Sequence, residues 1–246
     1  MRARRVERRT VRCALALAAW VAACPAVAQE ECRQALALGL DVSGSVDARE
    51  YRLQLDGLAW ALGTASVRRA ILATPDPVEM LVYEWSGAED QHVLVNWTAL
   101  RSEEDIVAFR ETLRQTMRRA TSPGTAIGHA LEKGLTLLDQ RADCARRTLD
   151  ISGDGKSNLG PDPRFVRQRL ADAGVTVNAL VVGADAPGIG DLRQEEIGEL
   201  SSYYRASVIT GEDAFVQTAL GYEAYAEAMA RKLERELQTM VVSNLE

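Results

Sequence analysis

Histidine is nearly missing from this chain of 246 residues: only His92 and His129 occur. No G-x-S-x-G occurs either, so a serine-hydrolase reading lacks both its nucleophile elbow and a credible base. Cysteine is sparse, and two of the four, Cys13 and Cys24, fall within the first 28 residues. Beyond those residues no apolar run is long enough to span a bilayer. No repeat, low-complexity tract or long linker interrupts residues 33–242. Basic charge is in deficit as well. Residues 1–28 hold six arginines and one glutamate, which leaves 23 basic and 34 acidic residues after them, a formal charge of −11. That balance suits solubility and excludes the phosphate backbone of nucleic acid as the main partner.

What is present begins with a leader. "MRARRVERRTVR" is an arginine-rich head, "CALALAAWVAAC" an apolar block of 12 residues, and "AVAQ" a small-x-small site that places cleavage after Ala28. This is the layout of a secretory signal peptide over residues 1–28, and the block is too short to cross a membrane. The expectation is a periplasmic or secreted protein with no transmembrane segment once the leader is removed. "VAAC" at 21–24 resembles a lipoprotein box that would lipidate Cys24, but Ala26-Val27-Ala28 directly after it favours ordinary cleavage. The two remaining cysteines, Cys32 and Cys144, are enough for one disulfide in an exported chain.

The 47% hydrophobic content is enough for a substantial core, and its period alternates along the chain. "ALALGLD" (35–41) is a near-continuous apolar run, as in a parallel strand covered on both faces. A helical face with Leu55, Leu58, Ala59 and Leu62 follows, and Asp47 and Glu50 have capping-box spacing at its start. "PVEMLVYEW" and "QHVLVNWTA" read as a hairpin across "SGAED". Helices are expected from Ser102 to Ala120 and over "TAIGHALEKGLTLLDQ", then a strand at "RRTLDIS". The loop "GDGKSNLGPD" precedes a helix that begins after proline and stops at Gly174. "VTVNALVVGA" is a buried strand, "DLRQEEIGELSSY" a short helix, and "YRASVI" a last strand. Residues 212–240 read as one long helix. The fold class is therefore α/β, a three-layer α/β/α sandwich with a mainly parallel sheet and one antiparallel edge strand.

In such sheets ligands sit beyond the carboxyl ends of the strands. Asp41 and Asp154 stand at two of these ends. Asp41-Val42-Ser43-Gly44-Ser45 resembles the D-x-S-x-S signature of von Willebrand factor A-type domains, where it forms a metal-ion-dependent adhesion site. The family's later "GT" loop is matched by "SPGTAIGHAL" with Thr125, and its final "DG" turn by "SGDGKSN" with Asp154. The chain looks closest to an uncharacterised branch of secreted bacterial proteins with this domain. The resemblance covers about residues 33–210 as a domain, with 211–246 as a helix packed on it or extending it. Gly153 departs from the family, in which many members have Thr there.

The resemblance implies that Ser43, Ser45 and Thr125 give oxygens that touch the ion, with Asp41 and Asp154 binding directly or through water. Mg²⁺ suits such a set, being a hard ion held by one or two carboxylates, while Mn²⁺ or Ca²⁺ fit the same oxygens. An ion with so few charged ligands stays electrophilic, and the partner expected is a protein or other ligand with an exposed carboxylate. Because the family sets its first and fourth strands side by side, Cys32 and Cys144 are also expected to bridge at the end away from the metal. Glu50, Asp47 and Asp56 read as solvated helix face, Trp85 and Trp97 as packing residues. His129 reads as structural or as a support behind the ion's ligands, and His92 as exposed.

Enzyme alternatives fit less well. A haloacid dehalogenase-type phosphoryl transfer also starts from an Asp at a strand end, but needs a general acid two residues on, where Ser43 stands. Its last motif wants an acid at Asn158. A P-loop around "GDGKS" fails because position 150 is Asp rather than Gly. A further alternative is an envelope scaffold whose metal is purely structural. The expected function is that of a non-enzymatic, metal-dependent binding domain.

Overall fold

The structure, a computed structural model, describes residues 32–183 and 190–238. The expected leader, its cleavage site and the Cys24 box lie outside the described residues. Strand β1 (Gln34–Asp41) is buried at every position, which is what a run apolar on both faces requires. It sits centrally in a six-stranded sheet of order β3-β2-β1-β4-β5-β6. The other strands are β2 (Val78–Trp85), β3 (Gln91–Leu100), β4 (Arg146–Gly153), β5 (Thr176–Val182) and β6 (Val216–Ala219). All neighbouring pairs are parallel except β2 and β3, the hairpin that makes β3 an antiparallel edge.

Alternate side chains of the strands feed two cores. Leu36, Leu38 and Leu40 face a core shared with α1 (Ala48–Leu62), α2 (Ala65–Ile71), α3 (Glu103–Gln115) and α7 (Tyr225–Gln238). Ala35 and Ala37 face the other, shared with α4 (Ile127–Leu138), α5 (Pro163–Asp172) and α6 (Gly190–Ser207). Each fully buried leucine contributes roughly 1.5–3 kcal/mol, so the α/β/α sandwich follows from strands that are apolar on both faces. The helix starts obey local chemistry. Asp47 and Glu50 close a capping box on α1, Ser102 and Asp105 close another on α3, and Pro163 opens α5.

Three expectations about elements change. α3 ends at Gln115, and Thr116 turns extended with ψ 131°, so residues 117–120 leave the helix. "YRASVI" is not a strand. α6 runs on through Ser207, because Leu200, Tyr204 and Val208 recur at helical spacing and bury on one core. Just beyond that segment, Thr210 pairs with Val177 of β5 by a single antiparallel bridge. The expected long C-terminal helix is divided instead. Val216–Ala219 pairs with Ala179–Val182 as β6, Gly221 turns the chain at φ 86°, and α7 starts only at Tyr225. The left-handed φ at Gly221 is what breaks the helical reading, since other residues rarely adopt it. Residues 239–246 lie outside the described part.

α7 is locked by a buried ionic group. Lys232, fully buried, places Nζ 2.6 Å from both Asp150 of β4 and Glu236. Asn178 of β5 donates to Glu236 at 2.7 Å and accepts from the Phe215 N–H at 3.0 Å. Burial pushes the Asp150 carboxyl up to about 7, while the Lys232 ammonium pulls it down. At the opposite end of the sheet from Asp41, Cys32 and Cys144 form a disulfide with Cα atoms 4.5 Å apart, 112 residues apart in sequence. They meet because they precede the adjacent strands β1 and β4, and the Ala145 N–H donates to the Cys32 carbonyl at 2.9 Å.

Two stability outcomes follow. Lys232→Met strands two buried carboxylates and lowers unfolding free energy by about 3–5 kcal/mol in urea titration; an unchanged midpoint refutes the locking role. Replacing both cysteines by Ala removes a cross-link worth up to about 4–5 kcal/mol in the chain-entropy description, read the same way, and the native protein resists thiol alkylation.

Candidate functional site

Asp41 ends β1 beside Trp85 of β2, and its neighbour Leu40 pairs with Ser152 of β4. Parallel pairing therefore brings the ends of β1 and β4 together, and Asp154 follows β4 directly. The loop after β1 is bent by its own carboxylate. The Ser43 N–H donates to Asp41 Oδ1 at 2.8 Å, a local closure typical of aspartate. The Val42 N–H donates to the Trp85 carbonyl at 2.9 Å and the Gly44 N–H to the Pro123 carbonyl at 3.2 Å. So held, Ser43 Oγ lies 3.2 Å from Ser45 Oγ. Ser45 Oγ in turn donates to Asp154 Oδ1 at 2.7 Å.

Thr125 arrives from a third loop, just before α4. Its N–H donates to the Asn158 side chain at 2.9 Å, and the Asn158 N–H donates back to the Thr125 carbonyl at 3.0 Å. This pair ties the α4 entrance to the loop that carries Asp154. A Cβ added at Gly155 would lie 4.0 Å from Thr125 Oγ1, so the threonine side chain faces the residue next to Asp154. Hydrogen bonds thus join Asp41, Ser43, Ser45 and Asp154 in one chain, and Thr125 stands across Gly155 from it.

Burial separates these groups. Asp41 and Ser43 are fully buried and Thr125 nearly so, whereas Ser45 is exposed. Asp41 Oδ2 is buried with no hydrogen-bond partner among the described residues. Burial, and then the charge of Asp154, push the Asp41 carboxyl up to about 7, against the hydrogen bonds from Ser43. Burial also raises Asp154, against the hydroxyls of Ser45 and Tyr222. Lys156, two residues on, is turned to Glu199. Two desolvated carboxylates with neutral hydroxyls between them are poised to lower their energy by gaining a cation. The donor set is all oxygen and suits a hard divalent ion. Among the described residues no group of three or more His, Cys, Asp or Glu side chains gathers. Beside Asp154 opens a hollow of about 230 Å³, lined also by Lys156, Val182, Ile197 and Leu200.

Several supporting residues carried no signal as site residues in the sequence. Gln54 of α1 donates to the Asp41 carbonyl at 3.0 Å and accepts from Ser152 Oγ at 3.0 Å. Its clue was a polar residue on the apolar face of α1, between Tyr51 and Leu55. Asn158 entered only as a mismatch with an enzyme motif, and Tyr222 not at all. His129 lies against Glu132, 3.2 Å away, and against Gly160, while His92 is half-buried on β3 rather than exposed. Asp47 caps α1, Asp56 pairs with Arg52, and Trp85 is buried beneath Gly153.

A family model described as "Protein of unknown function (DUF1194)" matches residues 31–241. No curated protein matches the chain. Among solved structures, proximal thread matrix protein 1 from the mussel byssus, described with a zinc-occupied MIDAS motif, is similar at 17% identity and TM-score 0.58, over 84% of this chain and 46% of that one. The pilus adhesin SpaC from Lactobacillus rhamnosus GG is similar at 13% identity and TM-score 0.58, over 86% and 31%. The von Willebrand factor type A structure from Catenulispora acidiphila is similar at 15% identity and TM-score 0.53, over 84% and 43%. The chain spans less than half of each. At these identities the likeness establishes the fold, which is of the von Willebrand factor A type.

The raised Asp41 carboxyl has a sign that can be checked. Its folded value exceeds the ordinary one, so the stability that its proton confers is full below about pH 4 and is lost as pH rises to about 7. In chelator at pH 8, Asp41→Asn is therefore more stable than the wild type, and the gap narrows toward pH 5. A thermal melt in which the Asn variant is the weaker at pH 8 refutes this reading.

Proposed function

The chain belongs to the family described as "Protein of unknown function (DUF1194)", and from its site geometry we propose that it is a non-enzymatic binding domain that uses a divalent cation to capture an acidic group of a partner. The observation that carries this reading is the convergence of a fully buried carboxylate, a half-buried one and neutral hydroxyls from separate loops at the carboxyl ends of two neighbouring strands. Asp41, Ser43, Ser45, Thr125 and Asp154 would hold the ion, Mg²⁺ best by its chemistry, with Mn²⁺ or Ca²⁺ as substitutes. The ion supplies an electrophilic centre, incompletely neutralised by two carboxylates, on which a partner carboxylate completes the shell.

The chain's own residues do the preparatory work. Asp41 Oδ2, without a partner among the described residues, is an acceptor that a cation satisfies. Gln54 fixes the backbone of Asp41, and Asn158 fixes that of Thr125. Among the described residues neither histidine is hydrogen-bonded to a serine, threonine or cysteine nucleophile: His129 lies against Glu132 and Gly160, and His92 lies on β3. Export to an oxidising compartment is supported by the Cys32–Cys144 disulfide. Among the described residues no helix is long and apolar enough to cross a membrane.

Calorimetric titration with Mn²⁺ is the test. The wild type takes up one ion per chain, Asp41→Asn and Asp154→Asn take up none, and Thr125→Ala binds at least tenfold more weakly. Retention of a partner from an envelope fraction vanishes with EDTA and returns with Mn²⁺. Folded wild type that takes up no Mn²⁺ ends the proposal. Uptake together with EDTA-insensitive partner retention leaves the ion a structural role only.

A further inference from the structure

Two buried tyrosines from the C-terminal third of the chain reach the same two carboxylate loops. Tyr222, nearly fully buried, follows Gly221 in the turn before α7, and its hydroxyl donates to Asp154 Oδ2 at 3.4 Å. Ser45 already donates to Asp154 Oδ1, so each oxygen of that carboxylate has its own donor, from a different part of the fold. Tyr204 of α6 is fully buried, and its hydroxyl donates at 3.2 Å to the carbonyl of Gly155, the residue after Asp154. The same hydroxyl stands near Asp41. A Cβ added at Gly153 would lie 2.5 Å from the Tyr204 hydroxyl and 3.1 Å from Asp41 Oδ2. The two oxygens therefore flank one small space, and glycine at 153 is what leaves it open.

We infer that Tyr204 and Tyr222 are positioning residues of the cation site: Tyr222 orients the Asp154 carboxylate, while Tyr204 pins the Asp154 loop and bounds the space beside Asp41. The inference rests on the cation reading proposed above. Neither phenol is assigned as a ligand of the ion; Tyr222 would act through the Asp154 carboxylate and Tyr204 through the Gly155 backbone. Outer partners of metal-binding groups change affinity by roughly 10–100-fold when removed, because they hold the ligand in its binding orientation. The segment beyond residue 210 is thereby part of the site.

The experiment is Mn²⁺ titration of Tyr204→Phe and Tyr222→Phe, with Tyr83→Phe as control. Tyr83 is as deeply buried, and its hydroxyl donates to the Ala130 carbonyl at 2.8 Å, away from the site. The expected result is about tenfold weaker Mn²⁺ binding in the first two variants, unchanged binding in Tyr83→Phe, and metal-free melting temperatures within a few degrees of the wild type in all three. If the wild type binds, Asp154→Asn does not, and both Phe variants bind as the wild type does, the tyrosine inference alone is overturned. If Tyr83→Phe weakens binding equally, the effect is one of general stability and the inference is again overturned. A wild type that takes up no Mn²⁺ removes the cation reading itself. Should a Phe variant not fold, ¹⁹F spectra of wild-type protein carrying 3-fluorotyrosine decide. Of its six tyrosines, Tyr204 and Tyr222 shift on saturation with Mg²⁺ and Tyr83 does not; spectra unaltered by Mg²⁺ overturn the inference.

Discussion

Asp41 and Asp154 are held at the ends of adjacent parallel strands, Asp41 fully buried and Asp154 half-buried, and close enough for the charge of Asp154 to raise the Asp41 carboxyl. Ionised carboxylates in such a place are costly unless positive charge arrives. Among the described residues the donors to these oxygens are neutral: the Ser43 N–H, the Ser45 hydroxyl and the Tyr222 hydroxyl. These orient the oxygens without neutralising them. The frustration is local, since the sheet beneath is packed with leucine, valine and alanine on both faces. A rigid scaffold can carry an unfavourable edge because its core more than offsets it.

The C-terminal segment is integral to this arrangement. β6 closes one edge of the sheet, and α7 packs on the face that α1 and α3 cover. Lys232, Asp150, Glu236 and Asn178 fix the register of α7 on β4 and β5. Buried ionic groups add little net stability but tolerate few alternative arrangements. Between β6 and α7, Gly221 directs Tyr222 back to Asp154, so one continuous path of backbone runs from the buried lysine to the carboxylates at the strand ends.

Much of the fold was legible because strong periodicity leaves little choice. "ALALGLD" reads as a doubly buried strand and is one, "VTVNALVVGA" holds the buried strand Thr176–Val182, and the Asp47 and Ser102 caps sit where their chemistry placed them. Legibility failed where local preference and tertiary context disagree. "YRASVI" is β-branched at its end, yet Leu200, Tyr204 and Val208 find a core at helical spacing and α6 continues. "FVQTA" could extend a helix, yet the open edge of β5 offers it hydrogen bonds and it becomes a strand.

From the order of residues alone came the ends of the strands, the run Asp41-Val42-Ser43-Gly44-Ser45 and the place of Asp154 after a later strand, because turns and hydrophobic period are encoded within a few neighbours, while the family resemblance singled out Thr125. The family resemblance added the pairing of Cys32 with Cys144. Only the tertiary structure decided that Gln54, Asn158, Tyr204 and Tyr222 support the site, and that Gly153 must lack a side chain. The hydrogen bonds of those four residues to the site span 13 to 68 positions, and no local preference encodes a contact that exists only once separate layers have packed.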